Sequence, residues 1–218
     1  MDSICAMLTT ELVPATDRNS RRLMVVLHGL GDSMEGYRWL PQMLDLPWLN
    51  YLLVNAPDSY YGGYSWYDYA GAPGPGVRRS RELLSGLLDQ QRERGFPNDQ
   101  TILFGFSQGC LMTIDVGLRY PEPLAGLIGI SGYVFEPERL LQELSPVALQ
   151  QRLVLTHGTQ DSMIPIAPVR AQVAVLKSAG VQIEWREFVK DHTIAGEEEL
   201  RVIRDFVQSR LGSSHTSV

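Results

Sequence analysis

Short apolar runs alternate along this chain with longer segments whose apolar residues recur every three to four positions, and that alternation restricts the fold more than any other feature. Strands separated by helices pair in parallel, each crossing over the sheet before the next is added. The strand segments are residues 22–28, 51–55, 101–106, 124–131, 152–156 and 181–189, and residues 8–15 add a candidate edge strand. Helical spacing falls at 34–44, 77–94, 108–119, 137–144, 168–179 and 196–211. The expected fold class is α/β, a mostly parallel central sheet flanked by helices. Residues 1–212 read as a single domain, and the small, polar residues 213–218 as a flexible tail.

Charge and cysteine usage remove several functions. Lys and Arg number 19 against 25 Asp and Glu, a net charge of −6, so the chain lacks the basic field that neutralises a run of phosphates, and nucleic acid is not an expected partner. Cys5 and Cys110 lie too far apart in sequence to form a disulfide framework or a zinc site, and they fit a reducing compartment. Asp2 stands where a secretory signal carries positive charge, and no apolar run is long enough to span a membrane. The expected location is cytoplasmic.

Residues 56–76 break the pattern. Tyr60, Tyr61, Tyr64, Trp66, Tyr67 and Tyr69 concentrate six aromatic rings within ten residues, a large apolar area that has to pack on something. One reading is a loop packed over the core. The other is a mobile lid, freed by Gly62 and Gly63, whose Tyr64 and Trp66 shield an apolar ligand and touch a membrane surface when open.

The chemistry centres on Gly105-Phe106-Ser107-Gln108-Gly109, a G-x-S-x-G motif that follows the strand TILFGF and opens a helix. A serine on such a strand-turn-helix elbow is held in a strained conformation pointing outward, and the flanking glycines let strand and helix approach it. A hydroxyl is a weak nucleophile at neutral pH, so Ser107 needs a base oriented by an acid. In this fold type the acid and then the histidine follow the serine along the chain. His28 precedes Ser107, His215 lies in the tail, and His157 has no acid in a post-strand loop between it and Ser107. His192 follows the last strand and is the expected base. Asp161, just after the strand RLVLT, is the expected acid; Asp191 would point away from its neighbour His192, and Glu184 and Glu187 lie on the strand. The oxyanion of a tetrahedral intermediate needs backbone donors, which Gln108 and Leu30 of HGLGD supply by position, with the Gln108 side chain secondary. Met163 and Ile164, close behind Asp161, join Tyr64, Trp66 and Tyr67 as candidate substrate-binding residues.

HGLGDS, WYD, GFSQG, HGTQD and DHT together resemble the small carboxylesterase, lysophospholipase and acyl-protein thioesterase family of α/β-hydrolases, from Met24 to about Ile194. The resemblance implies an α/β-hydrolase fold without a separate cap domain, a triad of Ser107, Asp161 and His192, an oxyanion hole at Leu30 and Gln108, and a loop at 60–69 bordering an acyl groove. It implies an ester or thioester of a single acyl chain as substrate and no cofactor or metal, and leaves room for an oligomer. The family usually has Gly before the catalytic His, where this chain has Asp191.

Other motifs fail. Gly29-x-Gly31 has Met34 where a dinucleotide fingerprint needs its third glycine, neither Lys177 nor Lys190 follows a glycine as a P-loop lysine must, and there is no H-E-x-x-H. Cys110 reads as packing on the helix. A second reading from a different class keeps the fold but not the chemistry: a binding protein that holds a lipid or membrane surface through its aromatic loop.

Overall fold

A computed structural model describes residues 8–212; the tail expected at 213–218, Cys5 and His215 lie outside the described residues. Seven strands form the main sheet: β1 (Thr10–Val13), β2 (Leu23–Leu27), β3 (Asn50–Val54), β6 (Thr101–Phe106), β7 (Gly126–Ile130), β8 (Arg152–Gly158) and β9 (Gln182–Phe188). Two further strands, β4 (Asp58–Tyr60) and β5 (Gly63–Ser65), make a separate hairpin. The order across the main sheet is β1-β3-β2-β6-β7-β8-β9, and every pairing is parallel except that of β1 with β3. Among the described residues no separate cap domain sits over the sheet.

The central strands are buried throughout, because helices cover both faces. Alternation along β2 shows how they divide: Leu23, Val25 and Leu27 face one core, and Met24 and Val26 the other. The first core is closed by α2 (Pro73–Glu93), α3 (Gln108–Arg119), α4 (Pro137–Gln142) and α5 (Ile166–Ser178). Helices α1 (Leu40–Leu44) and α6 (Gly196–Leu211) close the second. At the far edge, β9 is partly exposed; its Glu184 pairs with Arg186, and its Glu187 with Arg170 of α5. No described helix is long and apolar enough to cross a membrane.

Two expected elements differ. The helix expected at 34–44 is a 3-10 turn at Met34–Tyr37 followed by α1, because Pro41 lacks an N–H and its ring excludes a preceding helical turn. The segment 56–76 is not featureless. It holds the β4–β5 hairpin, turned by Tyr61 and Gly62, both at positive φ, and the start of α2 at Pro73, four residues before the expected 77. Proline is tolerated in a first helical turn, where its missing N–H has no intrahelical partner to lose.

Connections leave β2 toward β3 on one side and β6 toward β9 on the other, so the strand order reverses between β2 and β6. In open α/β sheets the crevice beyond the carboxyl ends of the strands at such a reversal is where ligands bind. Gly29 and Ser107 stand at those two ends.

Candidate active site

Ser107 joins β6 to α3 with φ 54° and ψ −115°, a conformation an L-residue holds only under constraint. The constraint is local. Its N–H donates to the Ile130 carbonyl of β7 at 2.9 Å, and Gly105 and Gly109 bring strand and helix so close that a Cβ on Gly105 would overlap the Gly109 carbonyl. The hydroxyl is thereby aimed into the cleft.

There it meets His192, whose Nε2 lies 2.9 Å from Ser107 Oγ while Nδ1 lies 2.8 Å from Asp161 Oδ2. With Nδ1–H donating to the carboxylate, Nε2 is left as the acceptor for the serine proton. Asp161 is buried, and its other oxygen accepts the N–H groups of Met163 (3.0 Å) and Ile164 (2.8 Å). Three residues expected to act together are together, carried by the ends of β6, β8 and β9.

The remaining titratable groups sort by burial. His157 is buried, stacks on Trp185, and bonds through Nε2 to the Ile164 carbonyl at 2.8 Å; burial lowers its pKa, leaving it a neutral prop for the loop that carries Asp161. His28 is likewise lowered by burial; its Nδ1–H donates to the Gly29 carbonyl, and Nε2 accepts the Ala56 N–H. Burial pushes the Cys110 thiol up to about 12, which removes it as a nucleophile. Asp191 points away from the imidazole. Its Oδ1 accepts the His192 and Ser162 N–H groups and the Ser162 hydroxyl, and the two N–H bonds in particular hold its pKa below the usual carboxylate range. Asp191 thus ties the loop bearing His192 to the loop bearing Asp161.

Leu30 and Gln108 line the cleft with Ser107 and His192. The turn carrying Leu30 is held by the hairpin: Gly31 donates to the Tyr64 carbonyl and Tyr64 to that of Asp32, both at 2.9 Å, and Gly63 approaches too closely for any Cβ. The Gln108 side chain, expected to be secondary, makes structural bonds of its own. Its Oε1 accepts the Trp66 N–H at 2.9 Å, and its Nε2 donates to the Tyr67 carbonyl at 3.0 Å, so it clamps the aromatic segment to the elbow.

That clamp decides the fate of the aromatics. Trp66 is fully buried, with Nε1 donating to the His28 carbonyl at 2.9 Å, so it belongs to the core and cannot shield a groove. Tyr64 is half-buried against the same core and does not line the cleft. Tyr67, Met163 and Ile164 do line it, as expected, together with Tyr69 and Tyr133, which sequence reasoning missed. Tyr133 follows β7 with no motif to mark it, and its hydroxyl lies 3.2 Å from that of Tyr67. The cleft encloses about 260 Å3.

An elbow serine at the reversal of a parallel sheet, with histidine and aspartate brought to it from later strands, defines an α/β-hydrolase. The chain matches the phospholipase/carboxylesterase family over residues 8–211 and belongs to it, which makes it a carboxylic ester hydrolase by class. Among curated proteins it is 29% identical to acyl-protein thioesterase 1 of Schizosaccharomyces pombe, covering 87% of this chain and 91% of that one. It is 28% identical to carboxylesterase SOBER1 of Arabidopsis thaliana, covering 90% and 94%. The crystal structure of esterase PE8 superposes with a TM-score of 0.84 at 29% identity, over 94% of this chain and all of that one.

Proposed function

We propose that Ser107, His192 and Asp161 are the catalytic triad of a serine hydrolase that cleaves carboxylic esters or thioesters of single acyl chains. The observation that carries this reading is the unbroken hydrogen-bonded line from Ser107 Oγ through His192 to Asp161. Ser107 Oγ bonds to the acyl carbon as its proton passes to His192 Nε2, and the carbonyl electrons move onto an oxyanion held by the Leu30 and Gln108 N–H groups. The bond to the leaving oxygen or sulfur then breaks, its electron pair stays with the leaving atom, and that atom takes the proton from Nε2. Water, deprotonated by the same nitrogen, releases the acid and restores the serine. Asp161 stabilises the imidazolium without itself being protonated.

Tyr67, Met163 and Ile164, with Tyr69 and Tyr133, form an apolar wall suited to the acyl group. Tyr61 at the hairpin tip is 95% exposed, and Tyr60 and Tyr69 are exposed nearby, which supports transient contact with a membrane surface through residues 60–69.

Fluorophosphonate labelling and initial rates on p-nitrophenyl butyrate test the triad. Ser107→Ala should abolish labelling, and Ser107→Ala and His192→Ala should each lower kcat by roughly 10⁴ or more with little further loss in the double variant. Multiplicative losses would overturn the assignment, retained labelling in Ser107→Ala would place the nucleophile on another residue, and a wild type that does not label would favour a fold kept for binding alone.

A further inference from the structure

A second groove opens from the other side of His192. Its walls are Tyr37, Trp39 and Met43 on one side and Ile194 and Leu200 on the other, and it encloses about 570 Å3. It is continuous with the catalytic cleft through His192, Phe106 and Asp32, which line both. The Phe106 and His192 rings, 5.0 Å apart between centroids, form the shared ridge.

Acyl transfer gives this asymmetry a meaning. The tetrahedral carbon bonded to Ser107 Oγ has three other substituents, whose places are set by what each must touch. The oxyanion needs Leu30 and Gln108, and both line the cleft but not the groove. The acyl chain follows its carbonyl into the cleft. The leaving atom needs the proton on His192 Nε2, and whatever it carries must extend past the imidazole. The groove begins at that ring and runs along Thr193 and Ile194, without the oxyanion donors.

Resting on the triad reading above, we propose that this groove is the leaving-group subsite and that it takes the apolar body of a neutral alcohol or thiol. Trp39 and Met43 are more than a third exposed within it, apolar surface that a ligand would cover. Among the described residues no lysine or arginine lines the groove, and Asp32 places a carboxylate at its mouth, so a leaving group carrying negative charge is disfavoured.

The two-step route separates this subsite from the chemistry, because the leaving group is gone before deacylation. Butyrate esters of methanol and of hexanol should therefore be compared in wild type, Trp39→Ala and Met43→Ser, each checked for a native melting transition. Both variants should lower kcat/KM for hexyl butyrate by about ten-fold and leave methyl butyrate within about two-fold. Deacylation-limited kcat on p-nitrophenyl butyrate should not change. An equal loss on both alcohols, or no loss on either, overturns the subsite. So does a selective loss that appears instead between methyl butyrate and methyl octanoate, which would assign the groove to the acyl chain. Failure of the underlying triad reading looks different: Ser107→Ala would still turn over methyl butyrate.

Discussion

The Lys190 ammonium lies 2.6 Å and 2.8 Å from the two carboxylate oxygens of Glu199, and both side chains are buried. One of those oxygens also accepts the Ala195 N–H at 2.5 Å, so a single buried ion pair closes the six-residue span 190–195 that carries His192. Breaking a buried pair leaves one desolvated charge uncompensated, whereas replacing both partners by apolar groups of similar volume is often neutral. Lys190→Met and Glu199→Leu should each cost about 3–5 kcal/mol in denaturant unfolding, and the double variant should recover most of it. Additive losses would show that the pair does not act as a unit.

Gln108 carries two jobs on one residue. Its backbone N–H is the proposed oxyanion donor beside Ser107, and its side chain holds Trp66 and Tyr67. Gln108→Ala leaves the Trp66 N–H without its buried acceptor, at about 1–3 kcal/mol, and the Tyr67 carbonyl with the Ser65 hydroxyl as its remaining donor. Activity should fall along with stability, and Gln108→Glu, which sets an unpaired carboxylate against the Tyr67 carbonyl at this buried position, should lose at least as much. An alanine variant as stable and active as the wild type would show the clamp to be dispensable.

Trp66→Ala should behave as a core truncation and lower stability by about 3–5 kcal/mol. Its effect on kcat/KM should be the same for acetate and octanoate esters, because the ring lies outside the cleft. A loss that grows with acyl length would return Trp66 to a substrate-shielding role.

Acid should destabilise the fold in two stages. His28 and His157 have pKa values lowered by burial, so the unfolded chain binds protons near its ordinary 6.5 that the folded chain refuses. Their contribution is present above that pH and is lost as pH falls below it. Glu187, held at about 2 chiefly by its hydrogen bonds from Arg170, and Glu143, lowered chiefly by hydrogen bonds from Arg139 and Arg119, act lower, from about pH 4.3 downward. Both are largely exposed, so each adds no more than about 1 kcal/mol. Tm measured from pH 8 to 3 should fall in both windows. His157→Phe should flatten the upper one and Glu187→Gln the lower. A Tm constant between pH 7 and 5 would contradict the histidine assignment.

The elbow was legible because its information is local: strand, G-x-S-x-G and helix are consecutive, and chain order then ranks His192 and Asp161 above their rivals. The aromatic segment was not. Rings crowded into ten residues declare that they must pack, but the side on which Trp66 lies is decided by Gln108 and the His28 carbonyl, about 40 positions away in either direction. Three-residue strands such as β4 and β5 are too short for alternation to register, and the PGPG that opens α2 reads as loop unless its place in a first turn is known. The second groove is assembled from residues near 37–43, 106 and 192–200, none of which carries a motif for it.

Strand β9 ends the sheet with one row of peptide groups facing outward, the place where another strand could dock. Glu184, Arg186 and the Arg170–Glu187 pair stand along it, and a docking strand would have to strip water from all four charges. The charged border makes the outer edge of the seventh strand a poor template for another strand.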